Sequence, residues 1–226
     1  IGAPQRFGLE IGRKKRWALT DKLRIKKNEF YSVHQTKSWE KLICNFGYNG
    51  NISLEPFKIS QMQSEGDDRR RIGVAIGSSN NPSKQWPLRN WAEFLLLLRS
   101  KYPDSEIGLY GTSSDAIIAK EITTRCKDAN IQDYVGKTTL SELLKHFSCC
   151  KIIVGCDSGA VHLANAVGIS TLTIFGPTNH TVTSPVFNTE KKELVKPLNA
   201  EHSMKDWHPI EVFEYYEKLN ALLDHS

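Results

Sequence analysis

The sequence predicts an α/β chain built on a Rossmann-like, doubly wound parallel sheet. Three observations predict it. From residue 71 onward, short apolar runs alternate with helical stretches of ten to fifteen residues, the pattern of a parallel sheet covered on both faces. The loops leaving the apolar runs are rich in Gly, Ser, Asp and Thr. One of them, Val154 to Ala166, turns from a buried strand straight into a helix through Asp157-Ser158-Gly159, with His162 one helical turn later.

The elements follow in order. Arg71–Gly77 is an apolar strand ending in glycine, and 78–87 is a polar loop. Leu88–Lys101 is a helix with Trp91, Phe94, Leu95 and Leu98 on one face. Glu106–Tyr110 is a strand, Ser113–Cys126 a helix, and Tyr134–Gly136 the remnant of a strand. Thr139–Cys149 is a helix opened by a capping box, Thr139 with Glu142 three positions on. Lys151–Gly155 is a strand, Ser158–Val167 a helix, and Thr171–Phe175 a strand closed by Gly176-Pro177. Pro209 suits the first turn of a last helix reaching Leu223. Residues 1–70 read as less regular, with Trp39–Phe46 as a helix, and form a first domain; 71–226 form the second.

Composition sets the outer bounds. The chain has 226 residues, 39% hydrophobic and 24% charged, ordinary for a globular protein. Its five cysteines are odd in number and lack C-x-x-C spacing, which speaks against a disulfide framework or zinc site and for a reducing compartment. Cys149 and Cys150 read as small buried hydrophobes. The apolar region 152–176 is interrupted by Asp157, His162, Asn165 and three glycines, so it reads as strand–helix–strand rather than a membrane span. Residues 1–71 carry 15 Lys/Arg against 8 Asp/Glu, which is either solvated surface or a face for an anionic partner. Interleaved aromatics are sparse there, so nucleic acid is not expected.

The chemistry collects at the strand ends. A helix N-terminus offers unpaired N–H groups and the positive end of the peptide dipole, a natural seat for phosphate. Gly159 lets an anion reach the backbone, and Ser158 and His162 share a helix face. Asp157 either caps that helix or contacts a ligand; a lone His162 on an apolar helix also fits a core histidine. A D-[ST]-G aspartic protease needs two such carboxylates sharing a proton, and this chain has one. In the loop 78–87, Ser78, Ser79 and Lys84 suit a diphosphate, the alternative being a solvated surface loop. It is no P-loop. After Gly111, Asp115 is either a helix cap or a carboxylate for ribose hydroxyls.

Taken together, Lys84 with Trp86-Pro87, Gly111 and Asp115, Thr138 to Leu143, Asp157-Ser158-Gly159-x-x-His162-Leu163-Ala164-x-Ala166-x-Gly168 and Phe175-Gly176-Pro177-Thr178 form an ordered series. That series resembles the heptosyltransferase family of glycosyltransferases, well over residues 71–180 and loosely over 1–70 through Gly2-x-Pro4-x-Arg6-Phe7-Gly8 and His34 to Leu42. The resemblance implies the C-terminal half of a two-domain GT-B fold preceded by the end of its N-terminal domain. It implies an ADP-sugar donor, usually ADP-heptose, a lipid-linked anionic saccharide acceptor of the lipopolysaccharide inner core, and inverting transfer without a metal or cofactor. Ser78, Ser79, Lys84 and Gly159 would hold the diphosphate, and Asp115 the ribose. Asp157 would orient the donor sugar with His162 nearby, and Lys84 would stabilise the leaving group. The family's glycine-rich first loop and its general base have no counterpart among residues 1–70, so no base is assigned and the chain alone is expected to bind donor rather than turn it over. A cytoplasmic location with peripheral contact to the inner membrane is the matching expectation. A sugar-nucleotide epimerase or hydrolase, or a non-catalytic nucleotide-binding module, is the alternative.

Overall fold

The computed structural model describes residues 3–13, 16–57, 71–77, 81–127, 130–187, 192–196 and 202–224. They form two compact units. The first holds residues up to Ser53 together with Asn179–Ser184, and the second holds Leu54–Thr178 and Pro185 onward. The junction between 70 and 71 that the sequence suggests abuts residues 58–70, which lie outside the described residues.

The first unit is more regular than its sequence suggests. Strands β1 (Phe7–Ile11) and β2 (Asp21–Ile25) pair in parallel, Leu9 opposite Leu23. Helices α1 (Lys27–Ser32) and α2 (Gln35–Asn45) pack with them around Leu9, Ile25, Phe30 and Leu42. The expected helix at Trp39–Phe46 is therefore real but starts earlier, with the His34 ring accepting the Thr36 amide at its N-terminus. The strands escape notice because each has five residues with charges between the apolar positions, Glu10 in one and Lys22 and Arg24 in the other. Those charges pair: Arg24 Nε donates to Glu10 Oε1 at 2.9 Å, and Lys22 lies 3.6 Å from the same carboxylate.

The second unit is a six-stranded, wholly parallel sheet. Its strands are β3 (Arg71–Ala75), β4 (Ile107–Tyr110), β5 (Ile131–Asp133), β6 (Cys150–Cys156), β7 (Ser170–Ile174) and β8 (Lys192–Val195). They lie in the order β5-β4-β3-β6-β7-β8. Side chains alternate across the pleat. Ile72, Val74, Ile152, Val154, Leu172 and Ile174 face one core, shared with α3 (Leu88–Lys101), α4 (Ala116–Arg125) and α8 (Pro209–Asp224). Ala75 and Ile153 face the other, shared with α5 (Leu140–Ser148) and α6 (Gly159–Ala166). The first core is dominated by edge-to-face aromatics, Trp86 on Trp91 with centroids 4.7 Å apart and Phe94 beside them, all fully buried.

Three details correct the sequence reading. Strand β5 occupies Ile131–Asp133, three residues before the expected Tyr134–Gly136. Strand β8, not anticipated, closes the far edge. Cys150 is buried as expected, but Cys149, the last residue before β6, is exposed. No described helix is long and apolar enough to cross a membrane.

Candidate functional site

The chain winds outward from β3 through β4 to β5, then returns to the other side of β3 and winds through β6, β7 and β8. The covering helices change face at that return, α3 and α4 on one side, α5 and α6 on the other. Such a reversal opens a crevice at the carboxyl ends of the two central strands. Here those strands are β3 and β6, and the chain leaving them carries Gly77 to Lys84 and Asp157 to Gly159.

A crevice of about 700 Å³ opens there, a size typical of small-molecule sites. It is lined by Ala75 at the end of β3 and Gly77 just beyond it, by Gly111, Thr112, Ser113 and Asp115 after β4, and by Ser158, Gly159 and Ala160 at the start of α6. Thr138, Thr139 and Leu140 close the rim at the start of α5, where the predicted capping box is present: Thr139 N donates to Glu142 Oε2 at 2.7 Å and Glu142 N to Thr139 Oγ1 at 3.3 Å.

The glycines have steric reasons. A Cβ on Gly77 would sit 2.3 Å from Asp115 Oδ2, and one on Gly111 would sit 3.0 Å from it, so the two strand ends make room for that carboxylate. Gly136 has a φ of +68°, and a Cβ there would lie 2.9 Å from Ser113 Cα. Gly155 lets α6 lie close on β6, since a Cβ would meet Val161 at 2.7 Å. Gly159 is different: a Cβ there would meet nothing within 4 Å among the described residues, and the residue lines the crevice. No packing against the described residues calls for glycine at that position.

Beside the crevice is a charged cluster built from residues 73 and 5 positions apart. Lys84 ends a 3-10 turn, Pro82–Lys84, whose first residue is capped by Asn81 Oδ1 accepting from Ser83 N at 3.1 Å. Lys84 Nζ donates to Asp157 Oδ2 at 2.7 Å, and His162 Nε2 lies 3.3 Å from Asp157 Oδ1. Asp157 is 5% exposed. Burial alone would raise its pKa, but the hydrogen bonds from His162 and Lys84 and the ammonium charge outweigh it and draw the carboxyl down to about 2. The ion pair therefore persists at neutral pH, with Lys84 about a quarter exposed toward solvent. Immediately following, the Ser158 hydroxyl is buried and has no hydrogen-bond partner among the described residues, and it makes no cap to α6.

Of the residues singled out from sequence, Gly111, Asp115, Ser158 and Gly159 line the crevice, and Lys84, Asp157 and His162 form the adjoining cluster. Ser78 and Ser79 lie outside the described residues. Asp115 is 3% exposed and its Oδ2 accepts from Thr112 N and Thr112 Oγ1, both at 2.8 Å, which closes a capping box on the 3-10 turn Ser113–Asp115 just before α4; it makes no side-chain cap to α4 itself. Thr112, Ser113 and Gly136 are crevice residues that the sequence did not single out; for Thr112 and Ser113 the Gly-Thr-Ser-Ser-Asp run at a strand end was the signal.

The sequence model of glycosyltransferase family 9 (heptosyltransferase) matches residues 2–211. The chain belongs to that family. Over 168 residues this family 9 chain is 28% identical to lipooligosaccharide heptosyltransferase 2 of Campylobacter jejuni, a match covering 68% of the chain and 52% of that protein. Over 169 residues it is 25% identical to lipopolysaccharide heptosyltransferase 2 of Escherichia coli, covering 69% and 47%. The chain thus spans about half the length of the curated relatives it matches. Its fold is similar to that of the E. coli ADP-heptose lps heptosyltransferase II, with a TM-score of 0.70 and 23% identity over 92% of this chain and 66% of that one. It is also similar to E. coli heptosyltransferase WaaC solved with ADP, with a TM-score of 0.68 and 19% identity over 89% and 60% of the two chains. Both likenesses place the fold of this family 9 member among the GT-B heptosyltransferases.

Proposed function

We propose that this chain supplies the donor-binding part of a heptosyltransferase, which moves a heptose from ADP-heptose to an anionic, lipid-linked acceptor of the lipopolysaccharide inner core. The observation that carries the reading is the meeting of Lys84 with Asp157, next in the chain to Ser158 of the crevice wall, at the strand-order reversal. The ADP-heptose donor is suggested by family membership and by relatives solved with ADP. In this reading the diphosphate sits against the first N–H groups of α6 at Gly159 and shares the Lys84 ammonium with Asp157, while the nucleoside occupies the crevice between the β4 and α6 walls. Asp157, ionised at neutral pH, accepts hydrogen bonds from the donor sugar's hydroxyls, with His162 beside it. As the glycosidic bond breaks, negative charge grows on the departing diphosphate, and Lys84 with the helix terminus stabilises it without a metal.

We assign no general base within this chain, and on its own it binds donor and transfers little sugar. Single inversion at the anomeric carbon and a peripheral contact of the basic residues of 1–71 with an anionic membrane surface belong to the same proposal. Calorimetric titration of the folded chain with ADP, UDP and GDP tests the nucleotide assignment: tightest binding of ADP supports it, and no binding of any of the three removes it. Product analysis with ADP-heptose then separates the reading from a hydrolase or epimerase, which would release or isomerise sugar with no acceptor present. Co-sedimentation with vesicles tests the membrane contact, which fails if binding is indifferent to anionic lipid.

A further inference from the structure

Lys84 meets Asp157 across a gap that its own turn does not determine. The bonds within the turn, Lys84 N to Asn81 O at 3.0 Å and Gln85 N to Pro82 O at 3.1 Å, shape it locally and say nothing of where it sits against β6. What locates it lies two residues on. Trp86 is 1% exposed, and its indole Nε1 donates to the main-chain carbonyl of Trp207 at 3.1 Å. Asn90, also buried, donates from Nδ2 to the same oxygen at 2.9 Å. A carbonyl oxygen has two lone pairs, and these two donors use both. Trp207 in turn sends its own Nε1 to Phe175 O at 2.6 Å, and Phe175 directly follows β7. The preceding residue, Ile174, accepts the Asp157 amide at 3.3 Å. The chain of contacts is closed: Lys84 to Trp86, Trp86 and Asn90 to Trp207, Trp207 to the end of β7, the end of β7 to Asp157, and Asp157 back to Lys84.

We propose that Trp86, Asn90 and Trp207 are positioning residues, a buried clamp that sets the reach of Lys84 to the corner at Asp157. Indole packing alone does not require it. Packing calls for no donor at either position, yet both side chains present one to the same carbonyl. The clamp also accounts for the interest of the 202–208 segment, remote in sequence from every site residue yet bonded to two of the loops that frame the charged cluster.

The experiment uses the full chain and the variants Trp86→Phe and Asn90→Leu, each of which puts an apolar side chain in place of the donor. The first readout needs no ligand: the rate at which Lys84 is acetylated by a small amine-reactive ester, followed by mass spectrometry. Lys137, ion-paired with Asp133 at 2.7 Å after β5, is the internal reference. Loss of one clamp bond should speed Lys84 modification about fivefold while leaving Lys137 unchanged. An unchanged Lys84 rate in folded variants overturns the proposal, as does an equal rise at both lysines, which would mean general loosening. The second readout rests on the nucleotide reading above. Trp86→Phe should weaken ADP about fivefold in the natural background and not at all when combined with Lys84→Ala. The same loss in both backgrounds overturns the clamp. Should the natural chain bind no ADP while Lys84 reactivity still responds, the nucleotide reading fails and the clamp stands.

Discussion

Replacing Asp157 by Asn keeps the shape of the corner and removes the charge that Lys84 and His162 both address. A carboxyl moved from its ordinary 3.8 to about 2 by folding contributes about 2 kcal/mol of stability at neutral pH. The sign follows from the direction of the shift. The folded carboxyl holds its proton less tightly than the unfolded one, so the stabilisation is complete above pH 3.8 and is lost as pH falls through about 2. Asp157 side-chain burial makes this figure meaningful, and Lys84, left without a carboxylate, is exposed enough to be hydrated. Urea unfolding of the natural chain and Asp157→Asn should therefore differ by about 2 kcal/mol at pH 7 and pH 5, by roughly 1 kcal/mol near pH 3, and by almost nothing at pH 2. In thermal melts at pH 7 the gap should be about 4–8 °C for a chain of this size. A difference that stays constant from pH 7 to pH 2 would refute the reasoning, because it would locate the effect in packing rather than in the ionised pair. So would the absence of any difference at pH 7.

Other substitutions separate binding from folding. Lys84→Ala should weaken ADP about ten- to a hundredfold in calorimetry and leave adenosine affinity unchanged, since only the diphosphate meets the ammonium. Gly159→Ala meets no described neighbour within 4 Å, so melting should be unaffected while ADP affinity falls; an unaltered affinity would remove the anion seat from α6. Gly77→Ala does the reverse, forcing its Cβ to 2.3 Å from Asp115 Oδ2, and should lower stability by about 1–3 kcal/mol in urea titration. Thr139→Ala opens the capping box of α5 and should cost about 1 kcal/mol by the same measurement.

Central elements were legible in the sequence where burial and capping were strong. Leu88–Lys101 is a helix over the bounds its apolar face indicates, and Thr139 with Glu142 marks the start of α5. Edge strands were not. β5 is Ile-Gln-Asp, with no fully buried residue, and in β8 only Val195 is buried, so neither carries the continuous apolar run that marks β3 or β6. The charged strands of the first unit were hidden for the same reason. At the site, Asp157 and Lys84 could each be named from loop chemistry, and a reversal of strand order was reason to expect their convergence. Their direct ion pair could not be foreseen, because it depends on where Trp86 anchors the turn. Gly136 was missed because a loop residue lines a crevice by its backbone path, which no local pattern reveals.

The start of α6 and Lys84 together form the proposed diphosphate seat. Side-by-side calorimetric titration of the folded chain with adenosine, AMP and ADP tests it most directly, because the three share a nucleoside and differ only in phosphate. Binding should be saturable, with a gain of at least about tenfold from AMP to ADP that shrinks as salt is raised. Equal affinities for AMP and ADP, or no heat with any of the three, would contradict it.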